Sequence, residues 1–305
     1  SARLKKHIND PKVSVVIPTY NRAKDLPRCF ESLIAQDFQD FEVLICDDGS
    51  TDDTSAVVET YSHHLDIHYS YGDNFGGPAR PRNRGITLAR APYIAFLDSD
   101  DWWKPEKLRL SLDALNAGAD IVYHDLFVVT KSDQRLFLKK VTTRGLTRPV
   151  FDNLLTNGNC INNSSVVVKK VLLTSIGGIS EDYDLIAAED YDCWLRIAKL
   201  TDKFTRIPNA LGYYWAGGGN ISNLKRTIEN VDAIVLRYLD NKCIPHNGGA
   251  NWIHYSRGRA CYLLCNWELA KKHLSNIGWL GTPLMVYIKS QWMLQLIRLA
   301  HENKS

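Results

Sequence analysis

The residues with the greatest chemical potential are acids and polar groups that follow short apolar runs. Asp98-Ser99-Asp100-Asp101 follows the run at residues 93–97, Asp47-Asp48-Gly49-Ser50 follows 41–46, and Pro18-Thr19-Tyr20-Asn21 follows 13–17. Each group alone would make an ordinary turn or helix cap, because Asp, Asn, Ser and Gly favour such positions. Three, on the first, second and fourth of the chain's apolar runs, mean more, since strand ends in one sheet converge. In extended chain alternate side chains share a side, so Asp98 and Asp100 are expected to point together. Asp101 is then expected to point away and cap the helix after Pro105. Two carboxylates on one side suit a hard divalent cation, Mg²⁺ or Mn²⁺, with positions left for diphosphate oxygens.

Arg80 and Arg82 lie in the stretch at residues 76–83, where a guanidinium could clamp phosphate oxygens; solvated surface arginines are the competing reading. There is no GxxxxGK[ST] loop and no GxGxxG, so phosphate charge must be met by a metal and side chains. Glu189-Asp190 opens a helical stretch through Trp194 and Arg196, and alone these acids would be read as stabilising the helix dipole.

The elements that must position these groups are legible in the apolar pattern. Runs at 13–17, 41–46, 67–71, 93–97 and 121–123 are too short for helices and continuous enough for strands buried on both faces. Between them, Leu26, Cys29, Phe30, Leu33 and Ile34 recur at helical spacing, and residues 52–61 begin with Asp and Thr suited to a helix start. The alternation predicts an α/β fold with a doubly wound, mostly parallel sheet, in which ligands gather at the carboxyl ends of the strands. Beyond residue 125 the pattern loosens to a hairpin near 135–141, a strand at 164–168 and a helix at 188–200. From 224 it is almost wholly helical, punctuated by Gly and Pro at 245–249 and 278–283, which places a boundary near 222.

PTYN, DDGS, an ARPRN stretch before YIAFLDSDD, and a later AEDYDCWLRI together resemble the family 2 glycosyltransferases over residues 11–222. The resemblance implies a GT-A fold in domain 1–222, with 223–305 as a helical C-terminal region. It also implies that Pro18 and Tyr20 line a nucleobase pocket, with Thr19 and Asn21 in the same donor-binding turn. Asp48 would then accept from the base, Asp98 would hold the ribose and Asp100 would ligate the metal, with Arg82 as a weaker donor-binding candidate. Asp190 would be the base of an inverting transfer from a nucleoside diphosphate sugar, UDP-linked by preference, to a hydroxyl of a glycan or lipid-linked glycan in polysaccharide biosynthesis. One departure stands out: many members carry a loop histidine where this chain reads Tyr213-Tyr214-Trp215-Ala216-Gly217-Gly218-Gly219-Asn220. Tyr214, Asn220, Ser222 or Lys225 would have to hold the leaving diphosphate, or the metal would keep extra water. A nucleotidyltransferase and a nucleotide-sugar-binding protein with a decayed site are the alternatives.

Composition bounds these readings. With 305 residues, 45% hydrophobic and 23% charged, the chain can bury a large core. Its 37 basic and 34 acidic residues are interspersed, which argues against nucleic acid as a partner. Seven cysteines without a CxxC pair suggest core thiols in a reducing compartment, and neither a leader segment nor an apolar run of about 18 residues is expected. A cytoplasmic location, at the inner face of the membrane, follows as the expectation. The C-terminal aromatics, including Trp279 and Trp292, have three readings: packing between helices, homodimer contacts, or a membrane-surface helix after Pro283 in which Leu284, Ile288, Trp292, Leu296 and Leu299 form a stripe.

Overall fold

The structure, a computed structural model, describes residues 10–218, 223–239 and 251–302. They form two compact units: residues 10–150, 160–181 and 189–218, and residues 151–159, 182–188, 223–239 and 251–302. The second unit thus takes in two short stretches from within the range expected for the first domain.

In the first unit the chain runs β1 (Val13–Thr19), α1 (Leu26–Ile34), β2 (Phe41–Asp47), α2 (Thr54–Tyr61), β3 (Ile67–Tyr71), α3 (Ala79–Leu88) and β4 (Tyr93–Phe96). β5 (Trp102–Trp103), α4 (Lys107–Asn116), β6 (Ile121–Val129) and β7 (Lys140–Val141) follow. The sheet order is β3-β2-β1-β4 and all three pairings are parallel, so the chain winds outward from β1 and then returns to its other side. That reversal makes β1 and β4 the switch point, and the crevice beyond their carboxyl ends is where such sheets bind ligands. Every residue of β1 and β2 is buried, their mostly apolar sequences interrupted by Ser14, Thr19, Glu42 and Asp47, and Ser14 Oγ donates to Glu42 at 2.6 Å. α3 packs so closely over them that a Cβ on Gly85 would lie 2.6 Å from Val16 Cγ1.

After α5 (Val150–Asn157), which runs into the second unit, the first unit continues with β8 (Val167–Lys169), α6 (Lys170–Ser175), α7 (Glu189–Ala198) and β9 (Phe204–Trp215). β8 pairs antiparallel with β4 and β6, β6 pairs parallel with β9, and β5 pairs antiparallel with β9. The sheet is therefore parallel in its first half and mixed beyond.

Several elements depart from the sequence reading. β3 is an edge strand and partly exposed, because His68, Tyr69 and Ser70 interrupt its apolar run. The hairpin is made by β6 and β7 rather than within 135–141. The strand expected at 164–168 starts later, since Asn163–Ser165 forms a 3₁₀ turn capped by the Asn162 side chain. Residues 97–101 are not extended: β4 stops at Phe96, and the Asp101 amide donates to the Asp98 carbonyl at 3.0 Å to close a turn.

The second unit contains α8 (Leu224–Tyr238), α9 (Asn251–Leu263), α10 (Trp267–Leu274) and α11 (Leu284–Glu302). Its core is small, with Cys261, Ala270, Leu274, Met293, Leu294 and Ile297 in one cluster. Cys261 is buried and Cys265 exposed, so the two thiols do not share an environment. The punctuation at 245–249 lies outside the described residues.

Candidate functional site

β1 and β2 end side by side, and their loops are bonded together. The Asp48 amide donates to the Thr19 carbonyl at 2.8 Å. Asn21 takes a left-handed conformation (φ 52°), which Asn tolerates. Its amide donates to Ser50 Oγ, and its Oδ1 accepts from the Thr51 amide, both at 2.8 Å. Pro18 and Thr19 are buried, whereas Tyr20 stands exposed beside them. Gly49 (φ 86°) completes this arrangement, because a Cβ there would lie 2.8 Å from the Asn74 amide nitrogen.

The two adjacent aspartates at the end of β2 differ in environment. Asp47 accepts from the Ser50 amide (2.8 Å) and the Tyr69 hydroxyl (2.6 Å), so it holds the turn. Asp48 accepts from the Phe75 amide (3.0 Å) and the Gly76 amide (3.2 Å). Burial raises its carboxyl above the ordinary value despite those bonds. A carboxylate offers about four acceptor positions, so Asp48 retains room for a further donor.

In the turn after β4 the three carboxylates also have distinct surroundings. Asp98 Oδ1 accepts from Arg82 Nη2 at 2.7 Å and from Asn163 Nδ2 at 3.3 Å. Asp101 is buried and does not cap a helix: its carboxylate accepts from the Trp215 amide (2.8 Å) and Ser164 Oγ (2.6 Å). Ser164 Oγ also accepts from the Asp98 amide (3.0 Å), so one hydroxyl ties both ends of the turn. Asp100 keeps its carboxylate for other partners, with Arg22 Nη2 at 3.4 Å. Burial and the Asp98 charge push the Asp100 carboxyl up to about 6. Concentrated negative charge around a hard oxygen ligand suits a divalent cation.

Arg82 links this turn to α7. Its buried guanidinium donates through Nη2 to Asp98 and through Nη1 to Glu189 Oε1 at 2.6 Å, which brings the α7 start to the strand ends. Arg82 therefore acts on carboxylates instead of standing free as a phosphate clamp. Beside Glu189, burial and the Glu189 charge push Asp190 up to about 7, against the pull of Arg82. The rest of the motif is structural. Trp194 is fully buried against Phe96, and Arg196 pairs with Asp192 at 2.8 Å.

Two arginines carry roles that the motif reading did not identify. Arg22 reaches Asp100, and Arg28 lies between the rings of Trp102 (3.8 Å) and Trp215 (4.8 Å) while donating to the Asp100 carbonyl at 3.0 Å. Arg22 was signalled only by following Asn21; Arg28 and Ser164 had no local signal. Arg80 is half-exposed, pairs with Glu181 at 2.9 Å and lies over the Phe75 ring. Tyr214 lies near the carboxylates: burial first, then the charges of Asp101, Asp100 and Asp98, push its hydroxyl up to about 12. Asn220 and Ser222 lie outside the described residues, and Lys225 belongs to the second unit.

Glu42, Asp66 and His68 offer ligand atoms within 4.8 Å of one another. Glu42 sits near the start of β2, at the opposite end from Asp48, and Arg90 already pairs with Glu42 (2.8 Å) and Asp66 (3.0 Å). Arg90 thus offsets part of the negative charge that would attract a cation there.

Because Arg82 compensates two carboxylates, Arg82→Gln is expected to destabilise the fold by about 3–5 kcal/mol, chiefly by leaving buried Glu189 unpaired. Chemical denaturation measures this; a change within experimental error would show that the bridge contributes nothing.

Residues 14–168 match the family described as Glycosyl transferase family 2. The amylovoran biosynthesis glycosyltransferase AmsB of Erwinia amylovora is 32% identical over 219 residues, covering 68% of this chain and 70% of AmsB. The chain spans only about a fifth of the length of several other curated relatives, 20% for an uncharacterised glycosyltransferase of Rickettsia felis. Among solved structures, Staphylococcus aureus TarS 1–349 in complex with UDP-GlcNAc aligns with a TM-score of 0.62 at 19% identity, over 96% of this chain and 92% of TarS 1–349. The mannosyltransferase PcManGT of Pyrobaculum calidifontis, in complex with GDP-Man and Mn²⁺, aligns at 0.58 and 18% identity, over 97% and 87%. Likeness at this level of identity shows the fold, which is GT-A.

Proposed function

Because the chain belongs to glycosyl transferase family 2, we propose that it moves one sugar from a nucleoside diphosphate sugar to a hydroxyl of a glycan or lipid-linked glycan, with inversion at the anomeric carbon. The observation that carries this reading is the Arg82 bridge, which joins the Asp98–Asp101 turn to the helix bearing Asp190. Family membership leaves the nucleotidyltransferase alternative without support. A binding protein with a decayed site would release no UDP from the donor.

The residues divide the work as follows. Tyr20 and Asp48 face the base, and Asp98, oriented by Arg82, holds the ribose. Asp100 would hold a divalent cation, which when bound neutralises charge on the diphosphate. Asp190 takes the proton of the acceptor hydroxyl as that oxygen bonds to the anomeric carbon and the bond from that carbon to the diphosphate oxygen breaks, releasing the nucleoside diphosphate. A carboxyl near 7 suits this step, since a base poised at the working pH combines availability with driving force. The UDP preference draws support from TarS 1–349, which is described in complex with UDP-GlcNAc; PcManGT, with GDP-Man, sets the competing outcome.

A thermal-shift panel of nucleoside diphosphates with and without Mn²⁺ tests the donor, because a ligand stabilises the native state according to its occupancy. UDP with metal is expected to give the largest rise in Tm. A larger rise with GDP would overturn the uridine assignment, and indifference to Mn²⁺ would overturn the cation.

A further inference from the structure

The last helix of the second unit is apolar on two faces. Met293, Leu294 and Ile297 pack into the unit's core. On the other face, Leu284 is 71% exposed and Trp292 63% exposed, with Ile288 exposed between them. Positions 284, 288 and 292 are successive i, i+4 neighbours and form one stripe, which exposed Leu299 extends. Trp279, 71% exposed, stands just before the helix. Apolar residues scattered singly over a surface need no explanation, but a stripe of apolar residues that includes Trp292 marks a contact face.

Charge selects the occupant. From residue 279 to the end of α11 the chain carries Lys289 and Arg298, both exposed, and a single carboxylate, Glu302, in the last turn beyond the stripe. A second copy meeting this face would bring no carboxylate from the stripe to pair with these cations. An anionic lipid surface complements them, and tryptophan favours the boundary between water and lipid. No helix among the described residues is long and apolar enough to cross a membrane. With 19 residues, α11 is about 28 Å long and suited to lying in the plane of the interface. We infer that α11 docks this chain on an anionic lipid surface, with Leu284, Ile288, Trp292 and Leu299 in the headgroup boundary and Lys289 and Arg298 against lipid phosphates. This inference is independent of the donor and the base.

Sedimentation of the full chain with lipid vesicles tests it. Binding to phosphatidylglycerol-rich vesicles is expected to exceed binding to pure phosphatidylcholine by about tenfold or more and to weaken with salt. Ile288→Glu with Trp292→Glu should abolish sedimentation while Tm and UDP binding stay unchanged, because both side chains are exposed. Lys289→Glu with Arg298→Glu, which leaves the apolar stripe intact, should remove the preference for anionic lipid. Failure of the wild type to sediment, or equal sedimentation of all variants, would overturn the inference. So would light scattering that shows a dimer which the Ile288/Trp292 change converts to monomer without any vesicle binding.

Discussion

Replacing Asp190 with Asn is expected to lower kcat for sugar transfer by about 10²- to 10⁴-fold while donor affinity stays nearly unchanged. Asn matches the side chain's volume but cannot accept the acceptor's proton. The pH profile separates this loss from a general defect. A base works only when deprotonated, and burial with the Glu189 charge pushes Asp190 up to about 7, so kcat/KM of the wild type should fall as pH drops through that region. The variant's residual activity should lack that limb. Stability moves the other way. A carboxyl raised in the folded state favours folding below its folded value, and that contribution is lost as pH rises through about 7. Asp190→Asn should therefore melt at or above the wild-type temperature at pH 8. Glu189→Gln is the control: Glu189 is bonded to Arg82, so its loss should lower stability and leave transfer measurable. Abolished transfer in Glu189→Gln beside an active Asp190→Asn would assign the base to the other carboxylate.

Asp100→Asn is expected to reduce turnover by about 10²-fold or more, since electrophilic stabilisation of a leaving group is worth several kcal/mol. The amide keeps the shape but loses the anionic oxygen that a hard cation requires. UDP affinity should lose most of its response to Mn²⁺, measured by calorimetric titration with and without the ion. The turn should persist, because its hydrogen bonds run through the Asp98 amide, Ser164 Oγ and the Asp101 carboxylate. A variant whose UDP affinity still rises normally with Mn²⁺ would place the ion elsewhere.

What was legible in the sequence was whatever the local pattern encodes. The buried strands β1, β2 and β4 announce themselves as mostly apolar runs, and the polar groups at their ends mark the switch point. Long-range partnerships left no such mark. Ser164 meets Asp98 and Asp101 more than sixty residues away, and Arg28 meets Trp215 from the far end of the unit. The expectation for Asp101 failed because it assumed extended chain where the structure has a turn, which carries that carboxylate inward to Trp215 and Ser164. The pairing of Arg82 was not legible, because neither Asp98 nor Glu189 is a sequence neighbour. α11 was ambiguous for a different reason: apolar residues cover both its faces, so periodicity alone did not single out the packed side.

Single displacement with Asp190 as base requires inversion at the anomeric carbon. Proton NMR of the sugar first released from an α-linked UDP-sugar in the presence of Mn²⁺, recorded before mutarotation, reads this directly. The β anomer is expected to form first, and its formation should be lost in Asp190→Asn. Initial release of the α anomer, or formation at an equal rate in the variant, would contradict the mechanism.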